Sequence, residues 1–184
     1  MKLFITDLSN ITDDLKKHFE SLLSSADKSR YNRIQNPLRR LQFLTGRALI
    51  SENCGESPTL SETGKPFVSR GYISLSHSGP FVALAISDAP VGLDLEDSSR
   101  IRPFQALSNR LHFQMETPVD FYKHFTRYEA DYKLGEQNTR IYHFYYSINT
   151  FIMCISLLND KENIEFINSI PYTKNIPLSL RKLS

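Results

Sequence analysis

Val91-Gly92-Leu93-Asp94-Leu95-Glu96 alternates apolar and polar residues with the period of a β-strand, whose successive side chains point to opposite faces. Val91, Leu93 and Leu95 are expected to enter a core, while Gly92, Asp94 and Glu96 share the other face. A rise of about 3.3 Å per residue sets the two acids about 7 Å apart along the backbone. Acids so placed can share a hard divalent cation through oxygen ligands. Gly92 leaves room for something bulky to approach. The competing reading is a half-solvated edge strand whose acids face water.

Outward from this strand, both halves of the chain run helix first and strands after, an α+β order. Residues 11–24 place Ile11, Leu15, Phe19 and Leu22 at helical spacing. A basic stretch follows, from Asp27 to Arg33. Asn36-Pro37 is an N-cap followed by proline in the first turn. It opens a helix with Leu38, Leu41, Thr45, Ala48 and Leu49 on one side, stopping near Cys54-Gly55. Gly64-Lys65-Pro66-Phe67 is a turn. Tyr72 to Ser76 alternates as a strand, His77-Ser78-Gly79-Pro80 breaks it, and Phe81 to Ser87 is a second, more buried strand.

Beyond the central strand, Arg102-Pro103 starts a short helix through Leu111. Thr117-Pro118 with Asp120 caps a longer one. Its aromatic stripe of Phe121, Phe125, Tyr128 and Tyr132 reads as core, and it ends near Gly135. Strands at 141–148 and 151–158 form a hairpin turning at Asn149-Thr150. A last strand spans Ile164 to Ile167, and the tail from Pro171 is irregular. Phe81–Ser87 and Phe151–Ser156 are faintly similar, which is compatible with an internal duplication. The division is 1–90 and 91–184, two halves of one unit with no low-complexity linker.

The 184 residues carry 22 Lys+Arg against 20 Asp+Glu, a formal charge of +2. That balance gives no support for nucleic-acid binding, which needs a basic excess. Local charge is uneven, with Lys28, Arg30, Arg33, Arg39, Arg40 and Arg47 in one short stretch. It is either a solvated helix face or a seat for a small polyanion. Cys54 and Cys154 form no framework of disulfides or zinc ligands and read as small core residues in a reducing compartment. No signal peptide and no membrane-length apolar run is visible. The expectation is a soluble, cytoplasmic protein with no membrane partner.

Glu129 and Lys133 lie four apart on the second-half helix, hence on one face. Alone, they would be an ordinary surface ion pair worth a few tenths of a kcal/mol, about 0.3. Three segments give them context: Gly64-Lys65-Pro66; Leu75-Ser76-His77-Ser78-Gly79 followed by Val91 to Glu96; and Phe125-Thr126-Arg127-Tyr128-Glu129-Ala130-Asp131-Tyr132-Lys133. Their order and spacing resemble the signatures of the 4'-phosphopantetheinyl transferases, in the larger two-halved class named after the enzyme that activates surfactin synthetase. The mid-chain position of the acidic strand separates that class from the smaller holo-acyl-carrier-protein synthases. Phe43-Leu44-Thr45-Gly46-Arg47 is similar too, so the likeness spans most of residues 28–133.

The resemblance implies two similar α+β halves with antiparallel sheets related by a pseudo-two-fold, and coenzyme A bound in the cleft between them. It implies a monomer that moves phosphopantetheine from coenzyme A to a serine of an acyl or peptidyl carrier protein, releasing adenosine 3',5'-bisphosphate. Asp94, Glu96 and Glu129 would hold Mg²⁺. Glu129 or a metal-bound hydroxide would take the serine proton, and Lys133 would stabilise the departing phosphate. Lys65, Ser76 and His77 match positions that contact the nucleotide and its 3'-phosphate, although a histidine after a strand is otherwise a polar turn residue.

Departures accompany the likeness. Phe125 stands where the family usually has Trp, and Tyr128 where it has Lys. Gln42 replaces an arginine, with Arg39 and Arg40 as substitutes, so Arg40 joins the coenzyme-binding candidates. Leu134-Gly135-Glu136-Gln137 lacks the usual glycine-rich loop. These changes weaken the phosphate-binding side and leave the acids whole. Two other readings stand beside transfer: a degenerate member that binds carrier or nucleotide without turnover, and a metal-dependent phosphohydrolase or nuclease, which gives Ser76-His77-Ser78-Gly79 no role.

Overall fold

The computed structural model describes residues 1–62, 64–100, 117–136, 139–168 and 180–183. Leu3-Phe4-Ile5, a short apolar run at the start, is buried on both sides in strand β1 (Lys2–Asp7). Leu3 and Ile5 enter one core and Phe4 another, as alternation requires. Sequence reading passed over this strand. It pairs antiparallel with β5 (Phe81–Ser87) and parallel with β9 (Glu165–Asn168). β5 in turn pairs antiparallel with β4 (Tyr72–Ser78), giving the order β4-β5-β1-β9.

Three helices connect β1 to β4. α1 (Asp13–Ser21) is capped by Thr12 and buries Leu15 and Phe19. The basic stretch expected after it is itself a helix, α2 (Ser25–Arg33), because Ser24 accepts from the Asp27 N–H as a new N-cap. α3 (Pro37–Cys54) starts at Asn36-Pro37 and stops at Gly55, whose φ of 72° is the left-handed C-cap. Thr45, Ala48 and Leu49 are buried as expected, but Leu38 lies exposed at the first turn. Gly46 lets α3 approach β4 closely, since a Cβ there would stand 2.8 Å from Leu75 Cδ2. A small hairpin, β2 (Thr59–Leu60) with β3 (Pro66–Phe67), carries the Gly64-Lys65-Pro66 segment.

The second sheet begins with β6 (Val91–Asp97), the acidic strand. α4 (Pro118–Leu134) follows, opened by a Thr117–Asp120 capping box and closed by Gly135 at φ 80°. The hairpin β7 (Tyr142–Ile148) and β8 (Phe151–Leu157) turns at Asn149, as expected. The sheet order is β10-β7-β8-β6, where β10 (Leu180–Leu183) pairs antiparallel with β7. That strand lies in the tail expected to be irregular. The helix expected at 102–111, and residues 171–179 of the tail, fall outside the described residues.

The protein is therefore α+β with antiparallel sheets, β1–β9 being the parallel exception. The order strand, helix, hairpin occurs twice, with sheet orders β4-β5-β1 and β7-β8-β6. The two strands noted as faintly similar, β5 and β8, hold equivalent places. β9 departs from a division at residue 90, since it crosses back into the first sheet. One apolar layer lies between the sheets, formed by Leu3, Ile5, Ala83 and Ala85 against Leu93, Leu95, Met153 and Ile155. α1 and α3 cover the far face of the first sheet. Phe121 and Tyr122 of α4 pack on Ile152 across the far face of the second.

Candidate active site

The site lies where edge strand β4 meets edge strand β6. Within β6, the alternate N–H groups of Leu93, Leu95 and Asp97 point away from β8. Serine hydroxyls of β4 receive them: Ser74 Oγ from Leu93 at 2.9 Å, Ser76 Oγ from Leu95 at 3.2 Å and Ser78 Oγ from Asp97 at 3.2 Å. Ser76 also donates to Asp94 Oδ1 at 2.9 Å, and Ser78 to Glu96 Oε2 at 3.2 Å. His77 and Ser78 belong to the strand rather than to a break after it. Only a strand extended that far can present all three serines to β6.

Val91, Leu93 and Leu95 enter the inter-sheet core, as the alternation predicts. The opposite face is not solvated, because α4 lies over it. A Cβ on Gly92 would stand 1.9 Å from the Ala130 carbonyl oxygen. What approaches Gly92 is thus the α4 backbone. That contact brings Lys133, one turn on, over the acidic strand. Its Nζ donates to Asp94 Oδ1 at 2.7 Å, Leu93 O at 3.1 Å and Ser76 Oγ at 3.3 Å. An ammonium has three protons, and each has an acceptor here.

Asp94 is 6 % exposed. Its Oδ1 is held by Ser76 and Lys133, whereas Oδ2 is buried without a hydrogen-bond partner among the described residues. Glu129, one turn before Lys133, has its carboxyl pushed above the usual range. Burial is the main cause, the charge of Asp94 adds to it, Lys133 partly offsets it, and Glu96 raises it again. Three acids therefore share one electrostatic field. Among the described residues, no three acid, imidazole or thiol groups are already drawn together as a ligand set. The donor chemistry nevertheless suits a hard cation: carboxylate oxygens, one of them buried and unpartnered.

A cavity of about 400 Å³ opens beside these groups, lined by Gln42, Arg47, Leu75, Ser76, His77, Asp94 and Lys133 among others. His77 is an exposed residue of β4. Desolvation by the surrounding protein still lowers its pKa, and the charges of Lys133 and Arg39 add to that, against a backbone hydrogen bond and the charge of Asp94. A second cavity of about 440 Å³ adjoins it, with Lys65, Ile73, Leu75, Tyr132 and Lys133 in its walls. Lys65 Nζ donates to the Lys133 carbonyl, tying the β2–β3 loop to the end of α4. Burial lowers the Lys65 pKa.

Asp94, Glu96, Glu129, Lys133, Ser76, His77 and Lys65 are thus brought to one region, although more than sixty residues separate Lys65 from Lys133. Arg40 is not among the residues lining the cavity; its guanidinium lies 4.2 Å from the Tyr31 ring centre. Arg47 faces inward but pairs through Nε with the buried Asp27 Oδ1 at 3.1 Å. Part of the basic stretch is therefore not a solvated face. The aromatic stripe is core only in its first half: Phe121 is buried, but Tyr128 is 48 % and Tyr132 73 % exposed.

Three contributors escaped the sequence. Ser74 lay in the alternating stretch and Ser78 within the quoted Ser76-His77-Ser78-Gly79 segment, but neither was given a role. Gln42 donates to the Gly79 carbonyl at 2.8 Å, fixing the β4–β5 turn against α3, and carried no signal beyond its departure from an arginine. Both cysteines are free thiols; Cys154 is buried and its pKa is pushed up to about 12, mainly by that burial. The chain matches no protein-family model and no curated protein. Among the described residues no helix is long and apolar enough to cross a membrane.

Proposed function

We propose that this chain is a 4'-phosphopantetheinyl transferase that uses coenzyme A and Mg²⁺ to modify a serine of an acyl or peptidyl carrier protein. The observation that carries the reading is the meeting of Asp94 with Lys133 at a cavity edge, with Glu129 in the field of Asp94 and Glu96. The resemblance assigned chemistry to those four side chains, and they converge from a strand and a helix far apart in sequence.

In the proposed reaction the carrier serine Oγ bonds to the pantetheine-side phosphorus of the coenzyme A pyrophosphate. The bond from that phosphorus to the bridging oxygen breaks, and adenosine 3',5'-bisphosphate leaves with the electron pair. Asp94, Glu96 and Glu129 would hold the magnesium ion, which supplies charge neutralisation at the pyrophosphate. Glu129, or a hydroxide on the metal, would take the serine proton. Lys133 delivers positive charge toward the leaving phosphate. Lys65 and His77 line the approach for the nucleotide phosphates, with the positive charge of Arg39 felt at His77. On this reading the enzyme acts in the cytoplasm as a monomer, as the resemblance to the two-halved class implies.

A second reading, a non-catalytic member that binds nucleotide or carrier, is favoured by one feature: every Lys133 proton already has an acceptor inside the protein. Incubating the protein with Mg²⁺, coenzyme A and a panel of apo carrier proteins separates the two. Transfer raises a carrier's intact mass by one phosphopantetheine. Coenzyme A binding with no adduct on any carrier supports the second reading and removes the first.

A further inference from the structure

We propose that Ser76 and Ser78 are positioning residues that set the two β6 carboxylates for a divalent cation, an inference that rests on the proposed function. Each hydroxyl works at two points. It accepts the N–H of one β6 residue and donates to the carboxylate of the residue before it: Leu95 and Asp94 for Ser76, Asp97 and Glu96 for Ser78. A serine hydroxyl has one donor and two acceptor positions. In Ser76 all three are filled, by Asp94, Leu95 and Lys133. It therefore has no position left for the nucleotide contact that the resemblance assigned to it, and acts through Asp94 instead.

The consequence is directional. With Oδ1 fixed by Ser76 and Lys133, the unpartnered Oδ2 is the atom of Asp94 left to meet a cation. Outer partners of this kind orient ligating carboxylates and tune their affinity. Ser74 supplies the internal comparison. It caps the Leu93 N–H in the same manner, but the preceding residue is Gly92, which has no carboxylate to orient.

The test measures Mn²⁺ uptake by electron paramagnetic resonance with coenzyme A present, alongside the melting temperature, for the wild-type chain and Ser74→Ala, Ser76→Ala and Ser78→Ala. All three variants are expected to melt lower, each having uncapped one β6 N–H. Only Ser76→Ala and Ser78→Ala should bind Mn²⁺ more weakly, by about tenfold. Should Ser76→Ala fail to fold, Ser78→Ala, at a half-buried acid, carries the same comparison. Equal weakening in Ser74→Ala, or wild-type affinity in both Ser76→Ala and Ser78→Ala, overturns the inference while leaving the proposed function standing. A wild-type chain that takes up no Mn²⁺ removes the metal reading and the inference with it.

Discussion

Glu129 and Asp131 sit two residues apart on α4 and respond to the fold in opposite directions. Glu129 faces the acids of β6 and is raised, chiefly by burial and then by Asp94. Asp131 faces the hairpin. Burial alone would raise it, but hydrogen bonds from His143 Nε2 at 2.8 Å and Ser156 Oγ at 2.7 Å outweigh that and hold it below the usual range. A depressed carboxylate stabilises the fold at pH above its unfolded value, about 3.9. That contribution disappears as pH falls through the lower folded value. Glu129 has the reverse sign: its raised pKa favours the fold when protonated, a contribution lost as pH rises through the folded value. Asp131→Asn should consequently flatten the acid limb of a melting-temperature profile below about pH 5. Parallel limbs for variant and wild type would mean that Asp131 contributes no acid-dependent stability.

Packing of α4 on β6 governs where Lys133 can reach. Gly92 is the contact point, and its neighbour is helix backbone rather than a side chain that could turn away. Gly92→Ala is predicted to cost about 3 kcal/mol, the upper end for overpacking, and to lift Lys133 from Asp94. Denaturant unfolding gives the first quantity. A cost below about 0.5 kcal/mol, within the range of a surface substitution, would show that α4 is not pinned there. The sequence identified Gly92 as a place of close approach but not its occupant, because nothing local says which element arrives. Ends of α3 and α4 were legible, since Asn36-Pro37, Thr117-Pro118 and the glycines beyond each helix carry their signals in a few adjacent residues. The outward turn of Tyr128 and Tyr132 was not. Helical spacing puts four aromatics in a stripe, but the buried row runs through Tyr122, Thr126, Ala130 and Leu134, so Tyr128 and Tyr132 fall on the side of α4 turned away from β6.

At the scale of the molecule, two strand-helix-hairpin units place their sheets face to face, and the site forms where edge strands β4 and β6 meet. The acidic strand, its hairpin partner and the helix lysine were readable because period and caps are local. β1 was missed as a six-residue strand at the start of the chain, and the repeat was visible only as a faint likeness of β5 to β8. β9 and β10 break the repeat by long-range pairing, which no local pattern specifies. The acids and Lys133 were given their roles by a resemblance, and the proposed function rests on the meeting of Asp94 and Lys133. Isothermal titration of coenzyme A into wild type and Asp94→Asn, each with and without Mg²⁺, tests this most directly. The account predicts that Mg²⁺ tightens coenzyme A binding to wild type by at least about tenfold and has little effect on Asp94→Asn. Binding that is indifferent to Mg²⁺, or equally enhanced in both proteins, would contradict it.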